Sequence, residues 1–270
     1  MSDSESKLVE NLLAKPDVHR QWASGYRTPD NERFFEAAFD LVASVLKPPP
    51  GATVLDVGCG SCAHSVRLAR RGFQVRAVDF SESALKMAAE HLRAQGLEDR
   101  VTLGRENILD LSFPDGSFDY VVCWGVLMHV PDVGRAVSEL ARVVRPGGHL
   151  VISEGNMHSL EATALRAVKR LFGQEKAEVK RTPAGVEFWK ASGDAALVTR
   201  QSDVGWLARA FGGHGLRLVR RAAGQFSEAY AMAVPGPLKR AVHGVNNFWF
   251  RSVREPRLAY GNILFFRKSE

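Results

Sequence analysis

Ala52-Thr53-Val54-Leu55-Asp56-Val57-Gly58-Cys59-Gly60 is the stretch that decides the fold. An apolar run enters a glycine turn, and His64-Ser65-Val66-Arg67-Leu68-Ala69 then reads as a helix. Strand, glycine turn and helix in that order make a turn suited to a nucleotide-like ligand, because a residue without Cβ lets a ligand approach the backbone. The next apolar run, Val75-Arg76-Ala77-Val78, ends on Asp79. A carboxylate there can accept hydrogen bonds from both hydroxyls of a ribose. Residues 56 to 80 therefore predict a site for an adenosine-containing ligand.

Gly58-x-Gly60-x-x-Ala63 also fits a dinucleotide fingerprint. Asp56 argues against that reading, because a pyrophosphate seeks a positive helix end and a carboxylate beside it repels. S-adenosylmethionine has no phosphate and carries an ammonium and a sulfonium, so an anion near the turn favours it.

Further motifs follow in order: Asn107 to Asp119 leading into Tyr120-Val121-Val122-Cys123, then Val126-Leu127-Met128-His129-Val130-Pro131, then Arg142-Val143-Val144-Arg145-Pro146-Gly147-Gly148 before Leu150-Val151-Ile152. Together with the glycine turn they resemble the class I S-adenosylmethionine-dependent methyltransferases, in the branch that includes quinone-biosynthesis enzymes. The resemblance covers roughly residues 50 to 155. It implies S-adenosylmethionine as cofactor and leaves the substrate open, because one fold hosts many acceptors.

Alternating runs predict strands at 53–57, 74–78, 100–104, 118–123 and 148–153, with helices at 62–71, 82–95 and 132–144. The expected fold is α/β: a Rossmann-like, seven-stranded, mostly parallel sheet with helices on both faces, the last strand antiparallel, and helical cover insertions. Leu216 to Val219 and Asn262 to Phe266 are the expected closing strands. Residues 1–50 are expected to form a helical lid, 51–155 the cofactor core, and 156–270 the substrate cover with the closing strands. Helices are expected over 1–15, Asn31 to Leu46, Ser159 to Phe172, Asp203 to Phe211 and Pro237 to Val253, with residues 173–200 irregular.

Gly58 and Gly60 are expected to meet the methionine part of the cofactor, and Asp56 its ammonium, the competing role for Asp56 being a helix cap. Asp79 should take the ribose diol. Phe80 is placed either on an adenine face or in the core. Asn107 stands where the family usually has an aspartate facing the adenine amino group, and its carbonyl can still accept. Ile108 would offer its backbone N–H and an apolar edge. Trp124 follows the fourth strand, close to the expected methyl position. His129 is either a general base or a histidine bonded to backbone at a helix start. Glu154, at the tip of the fifth strand, is the second candidate base, with Asn156 and His158 nearby. Trp22 and Tyr26 are candidate lid residues.

Cys59-x-x-Cys62 has redox or metal spacing, but with three cysteines in all the expectation is packing and no metal. No apolar run is long enough to span a membrane, and the polar N-terminus does not read as a signal peptide, so a cytoplasmic protein is expected. Charge is divided unevenly. Residues 1–155 carry 17 basic and 21 acidic side chains, whereas residues 156–270 carry 19 and 9. The resulting net of +10 in the second part points to an anionic partner or to a solvated face. The expected activity is methylation of a small molecule at oxygen or nitrogen, with an anionic acceptor suggested by the basic cover. An RNA or protein methyltransferase docking through the basic part is the first alternative, with nucleic acid the less favoured partner. A non-catalytic module that binds the cofactor is the second.

Overall fold

A computed structural model describes residues 3–20, 28–172, 178–231 and 236–270. Trp22 and Tyr26 lie outside the described residues. The chain runs through α1 (Asp3–Leu13), α2 (Pro29–Leu46), β1 (Thr53–Val57), α3 (Ala63–Arg70), β2 (Gln74–Asp79), α4 (Glu82–Gln95), β3 (Val101–Arg105), β4 (Phe118–Trp124), α5 (Val133–Val143) and β5 (Val144–Gly155). It continues through α6 (Leu160–Phe172), β6 (Glu178–Thr182), β7 (Gly185–Ser192), β8 (Ala195–Ser202), α7 (Val204–Gly213), β9 (Leu216–Ala223), α8 (Gly236–Phe248) and β10 (Gly261–Lys268).

Seven strands form one sheet in the order β3-β2-β1-β4-β5-β10-β9. The first five neighbours are parallel, and β10 is antiparallel to both β5 and β9. Both faces are covered, so central strands are apolar on each side. Leu55, Val121, Cys123, Leu150 and Ile152 face α5 and α7, while Val54, Val122 and Val151 alternate with them and face α2, α3 and α4. The strand order reverses between β1 and β4, and in open α/β sheets ligands bind at that switch, beyond the strands' C-terminal ends.

Local signals set the helix ends. Thr28 accepts from the Asn31 amide and Pro29 occupies the first turn of α2. Ser81 accepts from the Ala84 amide at the start of α4, and Gly96 stops that helix in a left-handed conformation.

Residues 173–200 are not irregular where they are described: β6, β7 and β8 form a separate antiparallel sheet. Its inward face carries Glu187 and Trp189 on β7, opposite Arg200 and Val198 on β8. Two buried charges interrupt the apolar alternation that marks a strand, and they neutralise one another only once the strands pair. The cover is therefore part sheet, not wholly helical. α1 packs Val9 and Leu13 against Trp189, Ala196 and Val198 of this sheet. The last cover helix also differs from the continuous run expected over Pro237 to Val253. It is α-helical to Phe248 and then widens into one π turn over Trp249–Val253, closed by Arg254 at φ 58°.

Both insertions leave the sheet at its C-terminal rim, after β5 and after β9. Among the described residues no helix is long and apolar enough to cross a membrane.

Candidate active site

A cavity of about 460 Å³ opens on that rim. It extends from Gly58, Gly60, Asp79 and Phe80, past Ile108 and Trp124, to His129, Glu154, Gln225, Glu228 and Tyr260.

The glycine turn is built against its own strands. Gly58 has φ +73°, and a Cβ there would lie 2.5 Å from Val126 Cγ2. Gly60 has φ +54° and open space where a Cβ would stand. The amides of Gly58 and Cys59 donate to the Val78 carbonyl at 2.8 and 3.0 Å. The Gly60 amide donates to Asp79 Oδ2 at 2.9 Å. With these three amides already engaged, the turn offers no ring of donors to a pyrophosphate. The opening is acid-flanked and side-chain-free, which fits a cationic, phosphate-free ligand.

Asp79 is fixed from two sides, since its Oδ1 also accepts from the Ser81 amide at 2.9 Å. A carboxylate has about four lone-pair sites, so both oxygens keep acceptor capacity toward the cavity. Burial pushes its pKa up, and the backbone bonds from Ser81 and Gly60 pull against that rise. Asp56 sits beneath the turn. It is buried, takes the Ser65 hydroxyl on Oδ2 at 2.6 Å, and is not among the cavity-lining residues. Burial raises its pKa to about 6, offset by Ser65 and reinforced by the nearby Asp79. Phe80 and Ile108 form apolar walls. Asn107 does not line the cavity. Its Nδ2 donates to Glu10 of α1 at 3.1 Å and its Oδ1 accepts from the Leu109 amide at 3.0 Å, so neither end of the amide faces the expected adenine position. Ile108 and Glu106, on either side of it, do line the cavity.

Trp124 lies at the floor, its ring 4.8 Å from Phe39 and 5.3 Å from His64. His129 Nδ1 donates to the Val198 carbonyl of β8 at 2.8 Å. That bond fixes the neutral tautomer and leaves the basic lone pair on Nε2. Burial and the Arg200 cation lower its pKa, so the ring is uncharged at neutral pH. The backbone bond expected of His129 is present on one nitrogen, and the ring lines the cavity.

Glu154 is 3 % exposed; Oε1 accepts from the Leu127 amide at 2.9 Å, and Oε2 is buried without a hydrogen-bond partner. Burial lifts its pKa to about 8 against the pull of Arg200 and two backbone amides, and Glu228 pushes it further up. Glu228, on the cover loop before α8, is raised to about 7 by burial and by Glu161. Asn156 and His158 turn away from the cavity. Asn156 bonds the Arg257 and Ala259 carbonyls, and His158 Nε2 lies 3.3 Å from Asp203 Oδ2.

Several lining residues carried no local signal. Glu32 and Phe35 come from α2, Arg67 and His64 from α3, and Gln225, Glu228 and Tyr260 from the second insertion. Arg67 is buried and committed to Glu32 and Glu36. Cys59 and Cys62 are buried free thiols, and the described residues contain no group of side chains placed to hold a metal.

Comparison with known proteins follows the same lines. Residues 55–152 match the family described as a methyltransferase domain. Methyltransferase GfsG of Streptomyces halstedii is 39% identical over 105 residues, which is 38% of this chain and 38% of that protein. The ubiquinone biosynthesis O-methyltransferase of Caulobacter vibrioides is 35% identical over 154 residues, 57% of this chain and 58% of that protein. The chain spans about half the length of the curated relatives it matches. Magnesium protoporphyrin IX methyltransferase from Synechocystis, solved with bound SAH, superposes with a TM-score of 0.62 over 93% of this chain and 94% of that one, at 19% identity. Residues 55–152 thus resemble a methyltransferase domain, and the chain shares its fold with S-adenosylmethionine-dependent methyltransferases.

Proposed function

We propose that this protein transfers a methyl group from S-adenosylmethionine to an oxygen or nitrogen of a small molecule held between Trp124, His129, Glu154 and Glu228. One observation carries the reading. An acid-flanked glycine turn whose amides are engaged opens into the same cavity as a buried carboxyl oxygen that has no partner.

The cofactor supplies an activated methyl group on sulfur. The chain's contribution is orientation and removal of the acceptor's proton. Asp79 would hold the ribose hydroxyls, with Gly58 and Gly60 allowing close approach. Phe80 and Ile108 would flank the adenine. Asp56 would act from beneath the turn as a buried negative partner for the ammonium end. Glu154 is the stronger candidate base, since its raised pKa makes its carboxylate more basic than an ordinary one. His129 stays neutral beside it and would accept a hydrogen bond or relay the proton. We infer that the N-terminal part closes the site as a lid, because Leu13 and His19, among its described residues, also stand on the cavity wall.

The lining tempers the expectation of an anionic acceptor. Glu32, Asp79, Glu106, Glu154 and Glu228 all face the cavity, while the lining Arg67 is engaged by Glu32 and Glu36. The reacting end of the acceptor we propose is therefore uncharged or cationic, and negative charge on the molecule would sit outside the cavity.

Isothermal titration with S-adenosylmethionine tests the binding half of this proposal, and transfer of labelled methyl to a panel of phenols and amines tests the rest. Absence of heat would favour a scaffold that keeps only the fold. Heat without transfer to any acceptor would favour a binding module.

A further inference from the structure

We propose that the outer face of α8 and the turn that follows it dock onto an anionic lipid bilayer. α8 lays His243 and Asn246 against the protein body, where the Asn246 side chain bonds both the amide and the carbonyl of Ser227. Leu238, Val245 and Phe248 recur at spacings of seven and three, which places them together on the opposite face. They are 50, 46 and 62 % exposed. The exposed apolar surface continues through Val253 and Leu258, and the Leu258 carbonyl accepts from the amide of Leu160, another exposed leucine. Lys239, Arg240, Arg251, Arg254 and Arg257 are exposed in the same segment, in which Glu255 is the single acidic residue.

A helix whose apolar stripe no described residue covers, in a segment with five exposed cations on long side chains, suits the boundary between headgroups and acyl chains: the stripe leaves water while the cations reach out to anionic headgroups. Charge decides among occupants. A second copy would bring one strongly basic face against another, and like-charge juxtaposition opposes association. A nucleic acid would satisfy the cations and find one aromatic face, Phe248, but the aliphatic Leu238, Val245 and Val253 offer bases nothing to stack on. The segment joins the cavity at both ends, through Gln225 and Glu228 before α8 and through Tyr260 and Gly261 after it. A docked bilayer would thus lie beside the acceptor end of the cavity, and this holds whatever reaction occurs there.

Co-sedimentation of the full chain with phosphatidylcholine vesicles, with and without phosphatidylglycerol, tests the proposal. The chain is expected to pellet with the anionic vesicles and to remain in solution with the neutral ones. Leu238→Ser/Phe248→Ser should abolish pelleting while its melting temperature stays at the wild-type value, since both side chains are exposed. Lys239→Ala/Arg240→Ala should weaken binding about twenty-five-fold, at roughly fivefold per cation near the surface. Failure to pellet with anionic vesicles at low salt overturns the proposal, as does wild-type pelleting by the serine variant. It is also overturned if the serine substitutions leave vesicle binding unchanged and instead dissolve a dimer seen by sedimentation velocity, or if the chain retains poly(U) but no vesicle.

Discussion

Arg200 and Glu187 form an ion pair at 2.7 Å with side chains only 1 and 2 % exposed. The remaining donors of Arg200 go to the carbonyls of Leu127, Val130 and Pro131 at 2.7, 2.9 and 3.2 Å, and the Trp189 indole donates to the second oxygen of Glu187. The pair therefore bolts the cover sheet to the loop that carries His129. Removing one partner strands a buried charge, so Arg200→Ala should cost about 3–5 kcal/mol in thermal or urea denaturation. Glu187→Leu/Arg200→Met removes both charges and should recover most of that loss. In a folded Arg200 variant the His129 pKa should rise, since a nearby cation no longer opposes protonation, and imidazole NMR would report it.

Gly58 and Gly60 should fail differently when each is replaced by alanine. Gly58→Ala drives a methyl into Val126 and should lower the melting temperature, with Val126→Ala relieving the clash in the double variant. Gly60→Ala meets open space and costs only the left-handed backbone penalty, about 1 kcal/mol. Calorimetry should show its larger effect as lost S-adenosylmethionine affinity, because the new methyl would stand where we propose that the ligand approaches.

Asp79→Ala should weaken S-adenosylmethionine binding by about 2 kcal/mol, roughly thirtyfold, through loss of charge-assisted hydrogen bonds. The variant also frees the Gly60 amide, so Asp79→Asn is the gentler comparison. Unchanged affinity in both would falsify the ribose assignment.

Methyl transfer to a protic acceptor should rise with pH toward a plateau above about 8, because Glu154, the base we propose, could take a proton only when ionised. Glu154→Gln should remove this limb and lower kcat by about 10²- to 10⁴-fold. Glu228→Gln removes a like charge, so the limb should move to lower pH. Stability has the opposite dependence. A carboxyl whose pKa is raised on folding binds more protons in the native state, so its contribution is lost as pH climbs from its unfolded value near 4.5 to about 8. Glu154→Gln should flatten that decline in melting temperature.

The core was legible because its signals are local. The apolar run, the glycine turn, Asp79 and the Ser81 cap each occupy a few consecutive residues and dictate backbone geometry directly. Trp124, Phe80 and Ile108 reach the cavity because they end or follow strands whose register the apolar pattern specifies. The surroundings of Asn107 are not legible locally, because its amide partner Glu10 comes from a helix almost a hundred residues away. Strands β6 to β8 are masked in the sequence because Glu187 and Arg200 read as surface residues until the strands pair. Glu228 and Tyr260 could not be placed from sequence, because only the return of the chain from α8 to β10 brings them to the rim.

Strand β10 lies between β5 and β9, although it is the last of the three to be made. During translation β9 emerges with no neighbour to pair with, and β5 waits with one side open. Only when residues 261–268 arrive does the gap close, and Lys268 then donates to the carbonyls of Ala141 and Val144 at the end of α5. The nascent chain is consequently exposed to mispairing along two unprotected edges until β10 is delivered, and a ribosome stalled before that strand would hold a sheet split in two.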